Sequence, residues 1–141
     1  MYFLHTEASF DMAHRLLGYE GKCSNLHGHT VKIEVTVSNR TLQPIGFVVD
    51  FQILDRLIKK WINDNWDHVT ILSASDKLCE QLVDTKVYKM ESNPTAENLA
   101  YELYNKLSAL FEEQQEGYKI DSVTVWETPK HAATYIREEI G

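Results

Sequence analysis

Residues 23–29 read Cys-Ser-Asn-Leu-His-Gly-His, a thiol and two imidazoles within seven positions. These groups are soft or borderline donors, suited to zinc and its neighbours in the transition series. A third imidazole, His14, stands a short way upstream. Neutral imidazoles bind zinc at roughly 2.0–2.1 Å, and three of them leave a fourth tetrahedral position open. His14, His27 and His29 are therefore the expected metal ligands. Cys23 admits two roles. As a fourth ligand it would close a structural Cys-His₃ site. As a thiolate beside an open metal, its pKa lowered from about 8.5 by nearby positive charge, it would be a reactive group. Spacing does not choose between them, although a domain of this size with two amphipathic helices has no need of a structural metal.

Other residues extend this chemistry. Asp67-His68 sets a carboxylate beside an imidazole, a pair able to relay protons with a thiol. Glu127 ends an apolar strand face shared with Val123 and Val125. A buried acid there needs a partner, and a ligand bearing N–H donors would serve. Arg15 and Lys22 flank the histidine region and are either cations for an anionic substrate or ordinary solvated surface charges. His5 falls on a polar strand face and reads as an ordinary surface residue. His131 lies in a hairpin turn with no assigned role. Cys79 is expected to pack as a small apolar residue in a short helix.

The elements that must position these groups are legible as periodicities. From Tyr2 to His14 the even positions run Tyr, Leu, Thr, Ala, Phe, Met, His, a strand with one buried face. From His27 the odd positions run His, His, Val, Ile, Val, Val. Side chains two apart on a strand share a face, so His27 and His29 stand on the apolar side of the second strand. His14 extends the apolar side of the first. If the two strands pair as a hairpin, three imidazoles meet at the end nearest the 15–26 connection. Residues 48–64 read as a helix capped by Asp50, with Leu54, Leu57, Ile58, Trp61 and Ile62 on one stripe. A second helix opens at Asn93-Pro94-Thr95, buries Leu99, Ala100, Leu103, Leu107, Leu110 and Phe111, and is expected to stop at Gly117. A short helix over 76–84, a short strand over 86–90 and a closing hairpin around Pro129-Lys130-His131 complete the pattern. The predicted class is α+β, an antiparallel sheet with two helices packed on one face, in a single domain over 1–141.

Composition excludes other classes. The chain has 141 residues, 43% hydrophobic and 25% charged, with a net charge of −7. That charge argues against nucleic acid or an anionic membrane as the main partner. No apolar run approaches the ~20 residues of a membrane span. The first residues lack the basic start and apolar stretch of an export signal, so the chain reads as cytoplasmic. Its two cysteines suggest no disulfide framework.

Several motifs occur in an order that resembles one family, the 6-pyruvoyl-tetrahydropterin synthase and 6-carboxytetrahydropterin synthase group. They are FDMAHRL at 10–16, KCSNLHGHTVKIEV at 22–35, GFVVDFQIL at 46–54, WDH at 66–68, NPTAENLA at 93–100 and VWETP at 125–129. The resemblance implies zinc on His14, His27 and His29, and Cys23 as general base rather than ligand. It implies a charge relay through His68 and Asp67. Glu127 would anchor the guanidine-like edge of a pterin and join the relay, with the Thr95 region helping to hold the ring. It implies the tunnelling fold, assembled as two stacked trimers with active sites at subunit interfaces. Three residues lie between Cys23 and His27, a spacing similar to the bacterial 6-carboxytetrahydropterin synthases. Their reaction takes 7,8-dihydroneopterin triphosphate to 6-carboxy-5,6,7,8-tetrahydropterin with release of acetaldehyde and triphosphate, an early step towards queuosine. The sister activity, 6-pyruvoyl-tetrahydropterin synthesis, shares the same site residues. A non-enzymatic zinc-stabilised module with Cys23 as fourth ligand is the remaining alternative. One departure is the run DHVTILSAS at 67–75, where many relatives read Asp-His-His or Asp-His-x-x-Leu-Asn.

Overall fold

The computed structural model describes residues 1–114 and 117–138. Of the domain expected over 1–141, residues 115–116 and 139–141 lie outside the described residues. The two alternating runs form β1 (Tyr2–His14) and β2 (His27–Asn39), paired antiparallel from Tyr2 opposite Asn39 to His14 opposite His27. Val31, Ile33, Val35 and Val37 of β2 are buried, as parity predicts, whereas in β1 only Phe10, Met12 and His14 are. Burial is thus concentrated at the histidine end of β1.

The chain then enters α1 (Phe51–Asn65), whose Asp50 carboxylate accepts a hydrogen bond from the Gln52 N–H at 2.8 Å. This satisfies one of the donors that a helix start leaves without an intrahelical partner. Leu54, Ile58 and Ile62 are buried, and Leu57 and Trp61 pack at the core's margin. Next come β3 (Val69–Ser73), α2 (Leu78–Gln81) and β4 (Val87–Met90). α3 (Ala96–Glu113) is capped by the Thr95 hydroxyl, which accepts from the Asn98 N–H at 3.1 Å. It buries Leu99, Ala100, Leu103, Leu107 and Phe111 and ends before Gly117. The hairpin of β5 (Lys119–Thr128) and β6 (His131–Ile136) closes the fold.

Strand order is β4-β3-β1-β2-β5-β6. The side chains of α1 and α3 share one core with the inward face of β1, β2 and β5. In one respect the sheet departs from expectation: it is mixed rather than antiparallel, because β3 runs parallel to both β1 and β4. All five residues of β3 are buried. A strand covered on both faces loses the alternation by which strands are recognised, and the sequence pattern therefore assigns no element to Val69–Ser73. Parallel neighbours also require crossover connections, which α1 and α2 supply.

Candidate active site

The β1–β2 register sets His14 directly across from His27, with His29 two residues further along the same face. The three rings form a compact triangle, with centroids 4.7 Å apart for His14–His27, 5.1 Å for His14–His29 and 4.8 Å for His27–His29. On the other side of β2, β5 brings in Glu127. Pairing between β5 and β6 slips between Trp126 and Thr128. Glu127 therefore sits at a bulge, the device that re-aims a side chain at the end of a ladder. Its Oε1 lies 3.2 Å from His29 Nε2 and 3.7 Å from His14 Nε2. One donor atom from each of His14, His27, His29 and Glu127 lies within 4.8 Å of the others.

Hydrogen bonding decides which ring nitrogens face the centre. His14 Nδ1 is 2.8 Å from the Pro94 carbonyl oxygen, and His27 Nδ1 is 2.6 Å from that of Asn25. A carbonyl only accepts, so a neutral ring in either place carries its proton on Nδ1 and turns an Nε2 lone pair inward. His14 Nε2 and His29 Nε2 are buried without a hydrogen-bond partner. A buried polar atom left in that state costs about 1–3 kcal/mol, and a cation at the centre of the triangle would offset it. Burial lowers the pKa of both His14 and His29, against the opposing pull of the Pro94 carbonyl on His14 and of the Glu127 charge on both. Both rings are held towards the neutral, ligating form. The donor set fits zinc.

Cys23 stands apart from this group. It lies in a single 3₁₀ turn, Lys22–Ser24, half-buried, and its carbonyl oxygen accepts from the Leu16 N–H at 2.9 Å. The next residue, Leu17, is bracketed by Asn93. Its N–H donates to Asn93 Oδ1 and its carbonyl accepts from Asn93 Nδ2, both at 2.9 Å. Asn93 immediately precedes Pro94, whose carbonyl orients His14. The segment that opens α3 thus holds the Cys23 loop and a metal-facing imidazole together. Thr95, the next residue, spends its hydroxyl on the helix cap.

Arg15 is committed elsewhere. Its guanidinium grips the buried Asp76 carboxylate with Nε–Oδ2 at 2.8 Å and Nη2–Oδ1 at 2.5 Å. The Arg15 hydrogen bond holds the Asp76 carboxyl below the usual carboxylate range, with help from the Leu78 N–H. Arg15 is therefore a brace between the end of β1 and the start of α2, not a spare cation for a substrate. Nothing in the sequence pairs positions this far apart, and the same holds for Asn93 and for the Pro94 carbonyl.

Asp67 and His68 follow Trp66, which is fully buried against Phe10, Trp61 and Tyr88. His68 donates its backbone N–H to the Asp11 carbonyl at 2.7 Å, and the Asp11 N–H donates to Asp67 Oδ1 at 3.1 Å. Asp67 Oδ1 lies 2.9 Å from His68 Nδ1, and the His68 side chain is 77% exposed. His68 holds a φ of +58°, a left-handed conformation uncommon outside glycine and a pointer to function where it persists. Among the described residues no hydrogen bond joins His68 to the Cys23 thiol. His5 pairs with the Thr36 hydroxyl at 2.9 Å, and His131 pairs with that of Thr128 at 3.2 Å. The Cys79 thiol donates to the Ser73 carbonyl at 3.4 Å.

Comparison with known proteins gives the family and the fold. A family model described as 6-pyruvoyl tetrahydropterin synthase matches residues 3–138. A Rickettsia bellii protein named 6-carboxy-5,6,7,8-tetrahydropterin synthase is 38% identical over 125 residues, spanning 85% of this chain and 89% of its own. A Haemophilus influenzae protein of the same name is 34% identical over 144 residues, covering 96% and 99%. The solved 6-pyruvoyl tetrahydropterin synthase of Caenorhabditis elegans superposes with a TM-score of 0.71 at 25% identity, covering 97% of this chain and 96% of its own. The curled sheet with its helices is the tunnelling fold, of α+β class. By sequence and by architecture, the chain belongs to the 6-pyruvoyl tetrahydropterin synthase family of enzymes.

Proposed function

We propose that this protein is a zinc-dependent lyase that converts 7,8-dihydroneopterin triphosphate to 6-carboxy-5,6,7,8-tetrahydropterin, releasing acetaldehyde and triphosphate. The observation that carries this reading is the inward convergence of three imidazoles on β1 and β2, with a half-buried thiol nearby in sequence but outside the ligand group. His14, His27 and His29 would hold the zinc, which when bound would act as a Lewis acid towards the substrate's side-chain oxygens. Cys23 takes the proton from the neighbouring side-chain carbon, a task that suits a thiol-derived base. His68 passes that proton on, and Asp67 orients the ring at 2.9 Å while the Asp11 N–H steadies the carboxylate. Glu127 accepts N–H donors of the pterin and shares in the proton traffic. The Thr95 segment supports the ring from the start of α3.

His68 is exposed, and within one chain no hydrogen bond links it to the thiol among the described residues. The relay is then made between copies, with Asp67 and His68 of one subunit serving Cys23 of another. An open sheet with β4 and β6 at its edges supports such an assembly. We assign a homohexamer built from two trimers, working in the cytoplasm on a pterin triphosphate in queuosine biosynthesis. The Haemophilus and Rickettsia names favour the carboxy product over the pyruvoyl one.

The test is direct. Pure zinc-loaded protein is incubated with 7,8-dihydroneopterin triphosphate and the pterin is identified by mass. A 6-carboxy product with stoichiometric acetaldehyde supports the proposal, and a 6-pyruvoyl product assigns the sister activity. No turnover by loaded protein would leave a zinc-stabilised pterin module.

A further inference from the structure

Glu127 is the one residue of the centre whose position is not accounted for by the function just proposed. A pterin presents its N–H donors on the edge of the bicyclic ring remote from the side chain that must lie at the metal. A carboxylate placed to grip that far edge should stand away from the imidazoles. Instead Oε1 lies 3.2 Å from His29 Nε2 and 3.7 Å from His14 Nε2. Donor atoms at the corners of a tetrahedron with bonds of roughly 2.0–2.1 Å are ~3.4 Å apart, and the two distances bracket that spacing.

The contact is also not a hydrogen bond. Both Nε2 atoms are buried and without a hydrogen-bond partner, although the Glu127 carboxylate lies within 3.7 Å of each. The Pro94 carbonyl claims Nδ1 of His14 and leaves Nε2 as a lone pair. A lone pair and a carboxylate oxygen facing each other at this distance repel unless a cation lies between them. Glu127 is also able to leave. Its side chain is 24% exposed and sits at the bulge between Trp126 and Thr128.

We infer that Glu127 is the fourth ligand of the metal in the pterin-free enzyme, and that it leaves the metal when the N–H donors of a pterin claim its carboxylate. The exchange rests on the pterin reading above, while the ligand assignment does not. It gives the carboxylate two successive partners, and it makes arrival of the ring the event that opens the metal's fourth position. A closed centre in the absence of substrate would also keep adventitious ligands off the metal.

The experiment uses the full-length protein loaded with Co²⁺, whose visible absorption reports its donor set, and Zn²⁺ affinity measured by chelator competition. Glu127→Ala and Glu127→Gln should each weaken Zn²⁺ binding by at least about tenfold with no pterin present, since loss even of a supporting partner costs 10–100-fold. Both should change the Co²⁺ spectrum. The probe for the exchange is 6-methylpterin, which has no side-chain oxygen to offer the metal, with binding followed by its fluorescence. It should shift the wild-type Co²⁺ spectrum towards that of the variants and leave the variants unchanged. Unaltered Zn²⁺ affinity and Co²⁺ spectrum in both variants would overturn the ligand assignment, even if the enzyme still turned over its substrate. Bound 6-methylpterin with no spectral change in the wild type would overturn the exchange. Weakened metal in the variants with 6-methylpterin binding intact would support the ligand and sink Glu127 as pterin anchor, and with it the exchange. Failure of 6-methylpterin to bind wild type would count against the pterin reading and the exchange, leaving the metal result to stand alone.

Discussion

Replacement of Cys23 by alanine separates an enzyme from a metal-stapled binding module. The thiol is half-buried and lies outside the four-residue donor group, while its loop is held by backbone and Asn93 hydrogen bonds that the substitution leaves in place. Loss of one half-buried sulfur should therefore cost about 0.5–1 kcal/mol. For a domain of this size that lowers Tm by less than about 4 °C. All three imidazoles remain, so zinc content should stay at the wild-type level. Turnover is a different matter. Removal of a positioned base should slow it by a factor of about 10²–10⁴, or about 2.7–5.4 kcal/mol in the barrier. The assay pairs metal analysis and thermal melting with single-turnover measurement on the pterin triphosphate. If Cys23→Ala instead sheds zinc and loses stability together, the thiol is a structural ligand, because such metal binding is folding free energy. That result would refute the assignment of Cys23 as base.

Other perturbations test the supporting parts. His14→Ala, His27→Ala and His29→Ala should each strip most of the zinc, and full occupancy in any one variant removes that residue from the ligand set. Asp76→Asn should lower stability by about 2 kcal/mol, less than the full cost of breaking a buried pair because the Arg15 side chain is 30% exposed. Since the folded Asp76 carboxyl titrates below its ordinary value, that stabilisation is present at neutral pH. It is lost as pH falls below about 4 and through the folded value, so the Tm gap between wild type and variant should close there and not above about pH 5. A gap that instead widened on acidification would contradict the Arg15–Asp76 brace. Thr95→Ala should cost about 1 kcal/mol through the lost helix cap, and Thr95→Ser should restore most of it. If serine fails to do so, the Thr95 methyl rather than its hydroxyl matters.

Much of this centre was legible in one dimension because its key residues sit on strands. A period of two dictates that His27 and His29 share a face and that the face is the apolar one. The same parity carries His14 and Glu127 inward. Helix caps at Asp50 and Thr95 were legible for a similar reason, since a short polar side chain bonds an N–H only two or three residues away. What parity cannot supply is register or partnership across the chain. That His14 stands opposite His27 and not one pair along is a property of the whole β1–β2 ladder. β3 was hidden because burial on both faces leaves no alternation, and with it went the parallel half of the sheet. The braces at Arg15–Asp76, Asn93–Leu17 and His14–Pro94 join residues 61, 76 and 80 positions apart. Two of the three engage backbone atoms, which every residue carries and no sequence pattern marks. The strand face to which Glu127 belongs could be foretold, but its 24% exposure and its distance from two imidazoles follow from a bulge and from the packing of β5 beside β2. Local periodicity determined which side chains turn inward; only the tertiary structure decided which of them meet.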